Sequence, residues 1–185
     1  HKLFTEAGLI PHETFWDRLR LRIQSSGDPV DNYTNTATFG AGRFSSTLPV
    51  HRDTWGSHIQ QQINWWMPLK PLNEECTLII YPSYFNQKVA NNSNSWDLKK
   101  LREARRRNED YPQLPTLLNR EMISDSYNNE FADSIVSLEE LEKDAVPIMI
   151  HPGDVLVFSG AHLHGSSIGG TKGNALRFST EVRTY

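Results

Sequence analysis

The sequence holds a single cysteine, Cys76. It therefore offers no internal disulfide, no cysteine-rich zinc site and no iron–sulfur cluster. Long apolar runs are missing as well: none approaches the ~20 residues of a bilayer-spanning helix, and nothing resembles a signal peptide. Positive charge is not in excess, since 19 Lys and Arg face 22 Asp and Glu, for a net charge of −3. With a pI near 6.2, no global basic field exists to attract nucleic acid. Proline and glycine number 10 and 11 of 185 residues and apolar residues make up 37%, a globular and not a disordered composition. The chain opens on His1 and not on methionine, which leaves room for a preceding segment. These absences predict a soluble, cytoplasmic protein with no membrane or nucleic-acid partner. A chain of 185 residues suffices for one domain with its own core.

What is present is mostly β-like. PHETFWDRLRLRI (11–23) predicts a short helix, its stripe formed by Phe15, Trp16, Leu19 and Ile23. NYTNTATF (32–39) predicts a strand, followed by a Gly/Ser loop. HIQQQINWWMPLK (58–70) alternates, with Gln60, Gln62, Asn64 and Trp66 on one face and Gln61, Ile63, Trp65 and Met67 on the other. TLIIYP (77–82) reads as a buried strand. Between 84 and 145 the character changes: WDLKKLREARRRNED (96–110) and SLEELEKD (137–144) are helical, the latter opening on a serine cap. This block has too few apolar residues for its own core, so it reads as an insertion covering part of one domain, 1–185. Strands return in VPIMI, GDVLVFSG, AHLHGSS and ALRFSTEVRTY. With no βαβ rhythm, they predict a mainly β, antiparallel sandwich or barrel.

Metal-capable side chains cluster on those strands. In PVHRDTWGSH (49–58), His51 and Asp53 are two residues apart, so in extended chain they share a face. His162 and His164 follow later, with Arg177 thirteen residues beyond His164. Two histidines and a carboxylate make the facial triad of non-haem Fe(II) oxygenases, which leaves coordination positions open for reactants. His162 and His164 have the same parity, so alternation alone does not separate them. The Gly-Ser-Ser after His164 and its shorter distance to Arg177 favour His164. His162 is then a pocket-lining or supporting histidine.

The ordered set HRD (51–53), PGDVLVFSG (152–160), HGSS (164–167) and RFS (177–179) resembles the Fe(II)- and 2-oxoglutarate-dependent oxygenases. Within these it is most similar to the phytanoyl-CoA dioxygenase-like branch, over about residues 30–83 and 146–185. The resemblance implies a double-stranded β-helix, a jelly roll like that of the cupins, buttressed by an N-terminal helix. It implies His51, Asp53 and His164 as ligands of Fe(II), with 2-oxoglutarate and O2 as co-substrates. It assigns Arg177 to the distal carboxylate of 2-oxoglutarate, whose geometry a guanidinium fork matches. Ser179, Ser166, Trp66 and Asn64 are assigned to the same co-substrate. Two departures stand out: the stretch from His164 to Arg177 is about two residues longer than the pattern, and YPSYF (81–85) replaces the usual Gly-Ser-His. The implied reaction is hydroxylation of an unactivated C–H in a small molecule, coupled to conversion of 2-oxoglutarate to succinate and CO2. Because Asp53 occupies the position that halogenases of this superfamily leave small, hydroxylation outranks chlorination, while desaturation, epimerisation and ring formation stay open.

Two other classes fit the same residues. A cupin-like isomerase or hydrolase would use the three ligands without Arg177, and a binding barrel would use no metal. Trp65 and Trp66 alternate, so one faces the site and the other packs. Trp55 is either core or pocket wall, and His58 and His151 read as solvated. The basic run KKLREARRR (99–107) spreads around its helix and includes Glu103, so it reads as a solvated face. A second reading makes it a lid whose cations attract an acidic substrate or a carrier-protein-bound one.

Overall fold

The computed structural model describes residues 2–25, 48–107, 109, 111–119, 134–166 and 176–185. The strand expected over 32–39, the loop after it and most of the long turn after His164 lie outside the described residues. Within them, seven strands form two antiparallel sheets. They are β1 (Arg20–Ser25), β2 (Ile63–Pro68), β3 (Leu78–Ile80), β4 (Val146–Pro147), β5 (Leu156–Ser159), β6 (His164–Ser166) and β7 (Leu176–Thr184). One sheet runs β1-β7-β2-β5 and the other β4-β3-β6. Four short helices accompany them: α1 (Lys2–Glu6), α2 (Asp53–Ser57), α3 (Leu98–Arg107) and α4 (Leu138–Asp144). No described helix is long and apolar enough to cross a membrane.

The helix expected over 11–23 does not form. Its second half is β1, paired with β7 from Arg20↔Glu181 to Ser25↔Leu176. Trp16 makes an isolated bridge to Thr184. Arg18-Leu19-Arg20-Leu21-Arg22-Ile23 alternates cation with apolar residue, and that period of two prevails over the sparser helical stripe once β7 offers an edge. The buttressing role falls instead to α1, whose Phe4 lies edge-on to Trp65 with ring centroids 4.8 Å apart. The strand expected over 58–70 is shorter, because His58 adopts a left-handed φ of 56° in capping α2. Chain in that conformation cannot extend a ladder.

Alternation on β2 sorts its two tryptophans as expected. Trp65 packs outward on Phe4 and donates its indole N–H to Thr184 Oγ1 at 3.0 Å. Trp66 turns inward with Asn64, joining Leu78, Ile80 and Phe158 between the sheets. Strand β3 is buried on both faces, since Ile79 belongs to a second cluster with Val50, Trp55, Tyr81 and Leu163. Trp55 is therefore a core residue.

The 84–145 block contributes Val89, Leu117, Val136 and Leu141 to that second cluster. Helix α4 is set by a complete capping box: Ser137 Oγ accepts from the Glu140 amide, and the Glu140 carboxylate accepts from the Ser137 amide. This fixes the angle at which Leu141 enters the core, where it has no exposed surface. Replacing Leu141 by Ala is expected to lower the unfolding free energy by about 2–5 kcal/mol. In urea the whole transition should shift as one step; a separate early transition would show that the helical block folds apart.

Candidate metal centre

The site is built from the backbone outward. His51 and His164 face each other across an isolated antiparallel bridge, each amide donating to the other's carbonyl at 2.8 and 2.9 Å. Directly opposed residues carry their side chains on one face, and the two imidazole centroids lie 4.4 Å apart. The close approach needs the glycine after His164. A Cβ on Gly165 would lie 3.3 Å from the Cα of Val50, against backbone that cannot yield. Asp53 follows His51 by two residues as the first residue of α2, turning its carboxylate back over the pair.

Both histidines are oriented through their Nδ1 atoms. His51 Nδ1 is 2.7 Å from the Pro49 carbonyl and His164 Nδ1 is 2.9 Å from the His162 carbonyl. A carbonyl only accepts, so each Nδ1 carries a proton, and in a neutral ring that arrangement leaves the lone pair on Nε2. Those Nε2 atoms point at Asp53: His51 Nε2 lies 3.6 Å from Oδ1, and His164 Nε2 lies 3.9 Å from Oδ2. The three ligand atoms lie within 4.8 Å of one another, and all three residues are buried. Ligands about 2.0–2.2 Å from a shared cation, at right angles, sit roughly 3 Å apart. A contraction of up to about 2 Å therefore brings this donor set onto one ion, and two imidazoles with a carboxylate suit a divalent transition metal.

Protonation states agree with that use. Burial, reinforced by His51 nearby, pushes His164 down to about 4, so its imidazole is neutral at pH 7. Burial alone would raise Asp53, but contact with His51 and the guanidinium of Arg183, with His164 adding, outweigh it. They hold the carboxyl well below the usual carboxylate range.

Around the triad the sequence reading missed the supporting residues. Arg183 Nη2 donates to Asp53 Oδ1 at 3.1 Å and its Nε to Glu181 Oε1 at 2.9 Å. Glu181 in turn accepts from Arg22 Nε at 2.9 Å. Glu181 and Arg183 share a face of β7 with Arg177 and Ser179; that parity was the available signal. Gln62 Nε2 donates to Asn64 Oδ1 at 2.9 Å, and Asn64 Nδ2 to Asp53 Oδ2 at 2.6 Å. Both ends of the Asn64 amide are thus engaged. In this arrangement the amide orients the Asp53 carboxylate.

The other expected site residues are placed as follows. Arg177 is buried, its guanidinium 5.7 Å from the Trp66 ring centroid. Among the described residues it has no carboxylate partner, and its Nε and the fully buried Ser179 Oγ find no hydrogen-bond partner. Burial pushes Arg177 down to about 10, which leaves it charged. A buried unpaired cation is costly, so this position calls for an anion. Ser166 Oγ accepts from Gln24 Nε2 at 2.9 Å and from the Leu48 amide at 3.1 Å, leaving its own proton to donate. His162 is not in the triad: its ring stacks on Phe85 at 4.3 Å, while its carbonyl holds His164. His58 and His151 are exposed, as expected. Triad, Trp66, Ser166 and Arg177 all line one cavity of about 970 Å³.

No family model matches the sequence, and no curated protein matches it. Among solved structures, EvdO2 from Micromonospora carbonacea var. aurantiaca is similar over 98% of this chain, at 13% identity and a TM-score of 0.51. The same protein complexed with 2-oxoglutarate gives 98%, 13% and 0.50. In both, this chain spans 55% of the length of the EvdO2 chain. AviO1 from Streptomyces viridochromogenes aligns over 92% of this chain and 50% of its own at 13% identity. Its TM-score of 0.41 is too low to carry weight. At such identity the likeness to EvdO2 concerns the fold.

Two outcomes test the centre. In metal-free protein, His164 takes up its proton at lower pH than in the unfolded chain, as does Asp53. The unfolded state therefore binds more protons in that window, and stability present above the ordinary histidine value of about 6.5 is lost as pH falls towards 4. Denaturant melts across that range should show the decline, and a flat profile would contradict the buried neutral imidazole. Replacing Asn64 with Ala should weaken divalent-metal affinity about 10–100-fold in a chelator competition. A change in 2-oxoglutarate affinity alone would instead place Asn64 on the co-substrate.

Proposed function

We propose that the protein is an Fe(II)- and 2-oxoglutarate-dependent oxygenase built on a double-stranded β-helix, most specifically a hydroxylase of an unactivated C–H in a small molecule. The observation that carries this reading is the pairing, in one cavity, of a buried His-Asp-His donor set with a buried arginine that has no acidic partner among the described residues. A fold shared with a protein solved in complex with 2-oxoglutarate supports it. In this reading His51, Asp53 and His164 hold the metal through Nε2, a carboxylate oxygen and Nε2. Fe(II) with 2-oxoglutarate and O2 supplies the oxidising chemistry, converting R–H, O2 and 2-oxoglutarate to R–OH, succinate and CO2 overall.

The protein's own residues bind and orient. Arg177 takes the distal carboxylate of 2-oxoglutarate, and Ser179 and Ser166 donate hydroxyl protons to it. Trp66 keeps the guanidinium in place from one side through a cation–π contact. Phe158, edge-on to His164 with centroids 5.1 Å apart, blocks rotation of that ligand and keeps water off it. Arg183 and Asn64 fix the Asp53 carboxylate, so that its free lone pairs face the histidines. The 84–145 block serves as an insertion within one domain, with Leu98 and Leu101 of α3 closing one wall of the cavity.

The reading is tested by adding Fe(II) and 2-oxoglutarate anaerobically, recording the weak visible charge-transfer band, then admitting O2 and measuring succinate. Wild-type protein should give both signals. Arg177→Ala should raise the 2-oxoglutarate concentration needed for half-maximal band by about tenfold or more, the loss of a charge-assisted, bidentate contact. A metal-loaded protein lacking both signals, with Arg177→Ala harmless, would point to a cupin-like isomerase or hydrolase. Absence of metal on elemental analysis after loading would leave a binding barrel.

A further inference from the structure

We infer that the substrate is a small molecule bearing a multiply charged oxyanion group, phosphate or polycarboxylate, held between the arginine face of β1 and the cavity face of α3. That it is the substrate rests on the oxygenase reading; the anion site stands on separate residues.

The first support is charge. The described lining of the cavity contains arginines 18, 20, 22, 102, 105 and 183 in addition to Arg177. This concentration sits in a chain whose net charge is negative. In the oxygenase reading, the ferrous ion, dianionic 2-oxoglutarate, Asp53 and Arg177 neutralise one another. Six arginines then remain; Glu181 is bridged to Arg20, Arg22 and Arg183, and Asp17 to Arg20. Among the described residues, neither Arg18 nor Arg102 has an acidic partner. The oxygenase machinery does not use this surplus.

The second support is the orientation of β1. Exposure alternates along β1 and the residue before it: Leu19 and Leu21 are 65% and 63% exposed, whereas the side chains of Arg20 and Arg22 are 37% and 23% exposed, although all four residues border the cavity. Burial of apolar surface favours the opposite sorting. The register with β7 is what enforces it, placing Arg20 across from Glu181 and Arg22 across from Ser179. Shifting by one residue would send the arginines outside.

The third support is α3. Leu98, Leu101, Arg102 and Arg105 line the cavity, and their spacing of three, four and seven residues is that of one helix face. Arg106 is not on it. The basic run therefore divides: two of its cations serve the cavity across from β1. A cavity of about 970 Å³ has the size of a small-molecule site.

The test uses the full chain loaded with Ni(II) and 2-oxoglutarate, titrated calorimetrically with fructose 1,6-bisphosphate as the phosphate probe and tricarballylate as the carboxylate probe. At least one should bind, with affinity that falls as salt is raised. In the double variant Arg18→Gln/Arg102→Gln that affinity should drop tenfold or more, while Arg106→Gln should bind as wild type. Which probe binds identifies the group. Because Arg18 and Arg102 are exposed, the variant should keep the wild-type melting temperature; Arg102→Gln alone, with a smaller drop, is the second check. No binding of either probe, equal binding to the double variant, or equal loss in Arg106→Gln would overturn the inference. The Fe(II)–2-oxoglutarate band of the wild type is recorded alongside. Probe binding without the band would sink the oxygenase reading and leave the anion site standing, and the band without probe binding would do the reverse.

Discussion

The reciprocal pair of main-chain hydrogen bonds between His51 and His164 is the contact on which the site depends. It ties a residue from the first third of the chain to one near its end, and it does so with backbone atoms, whose positions are less variable than side-chain rotamers. Everything that makes the imidazoles useful follows from it. The rings are on one face because opposed residues in an antiparallel pair must be, and they are close because Gly165 lets Val50 approach. The two carbonyls that fix the tautomers belong to Pro49 and His162, each two residues before its histidine, where extended chain brings a carbonyl under the ring. Local geometry thus delivers the proton pattern that a metal ligand needs, without a dedicated acidic partner for either histidine.

Strand β7 is the second organising element. It lies between β1 and β2, and one of its faces carries Arg177, Ser179, Glu181 and Arg183 in alternate positions. The first two lack partners among the described residues, while the last two are tied into the chain Asp53–Arg183–Glu181–Arg22. One strand therefore presents an open anion-seeking end and a closed, charge-balanced end. Their order along the strand is fixed by covalent spacing. A shift of β7 by two residues against β2 would keep the faces but move both functions relative to Asp53, so the ladder with β2, from Ile63↔Thr184 to Pro68↔Ser179, sets the position of each.

Much of this was legible in local pattern. His51-x-Asp53, the glycine and serine after His164, and the alternation of Asn64, Trp65 and Trp66 are short-range signals; parity places the β2 residues, whereas Asp53 reaches His51 from the first position of α2 and not from extended chain. The capping serine of α4 was equally plain. What escaped was decided by remote partners. Arg183 meets Asp53 across 130 residues of chain, and nothing near it in sequence announces that meeting. Asn64 lies on the expected face, but its contact with Asp53 was not foreseen, since facing inward does not say which carboxylate an amide will meet. The 11–23 stretch fits both periods, and only the presence of an unpaired edge on β7 selects extended chain.

The electrostatics of Asp53 show why the second carboxylate, Glu181, belongs to the same design. A buried aspartate needs a cation, and Arg183 supplies one. A divalent metal bound to Asp53 would then stand near that guanidinium, and a double and a single positive charge about 4 Å apart repel by about 8 kcal/mol at an effective dielectric near 20. Glu181 offsets this. Its contact with Arg183 is 2.9 Å against 3.1 Å for Asp53, so Arg183 keeps a full partner when Asp53 turns towards a metal. Arg22 on the far oxygen of Glu181 holds that carboxylate ionised, its pKa lowered by Arg22 and Arg183 despite burial. The alternation of charge from Asp53 to Arg22 lets one buried carboxylate change partners without stranding another charge. A single arginine beside Asp53, with no Glu181 behind it, would instead compete with the metal for the same oxygen.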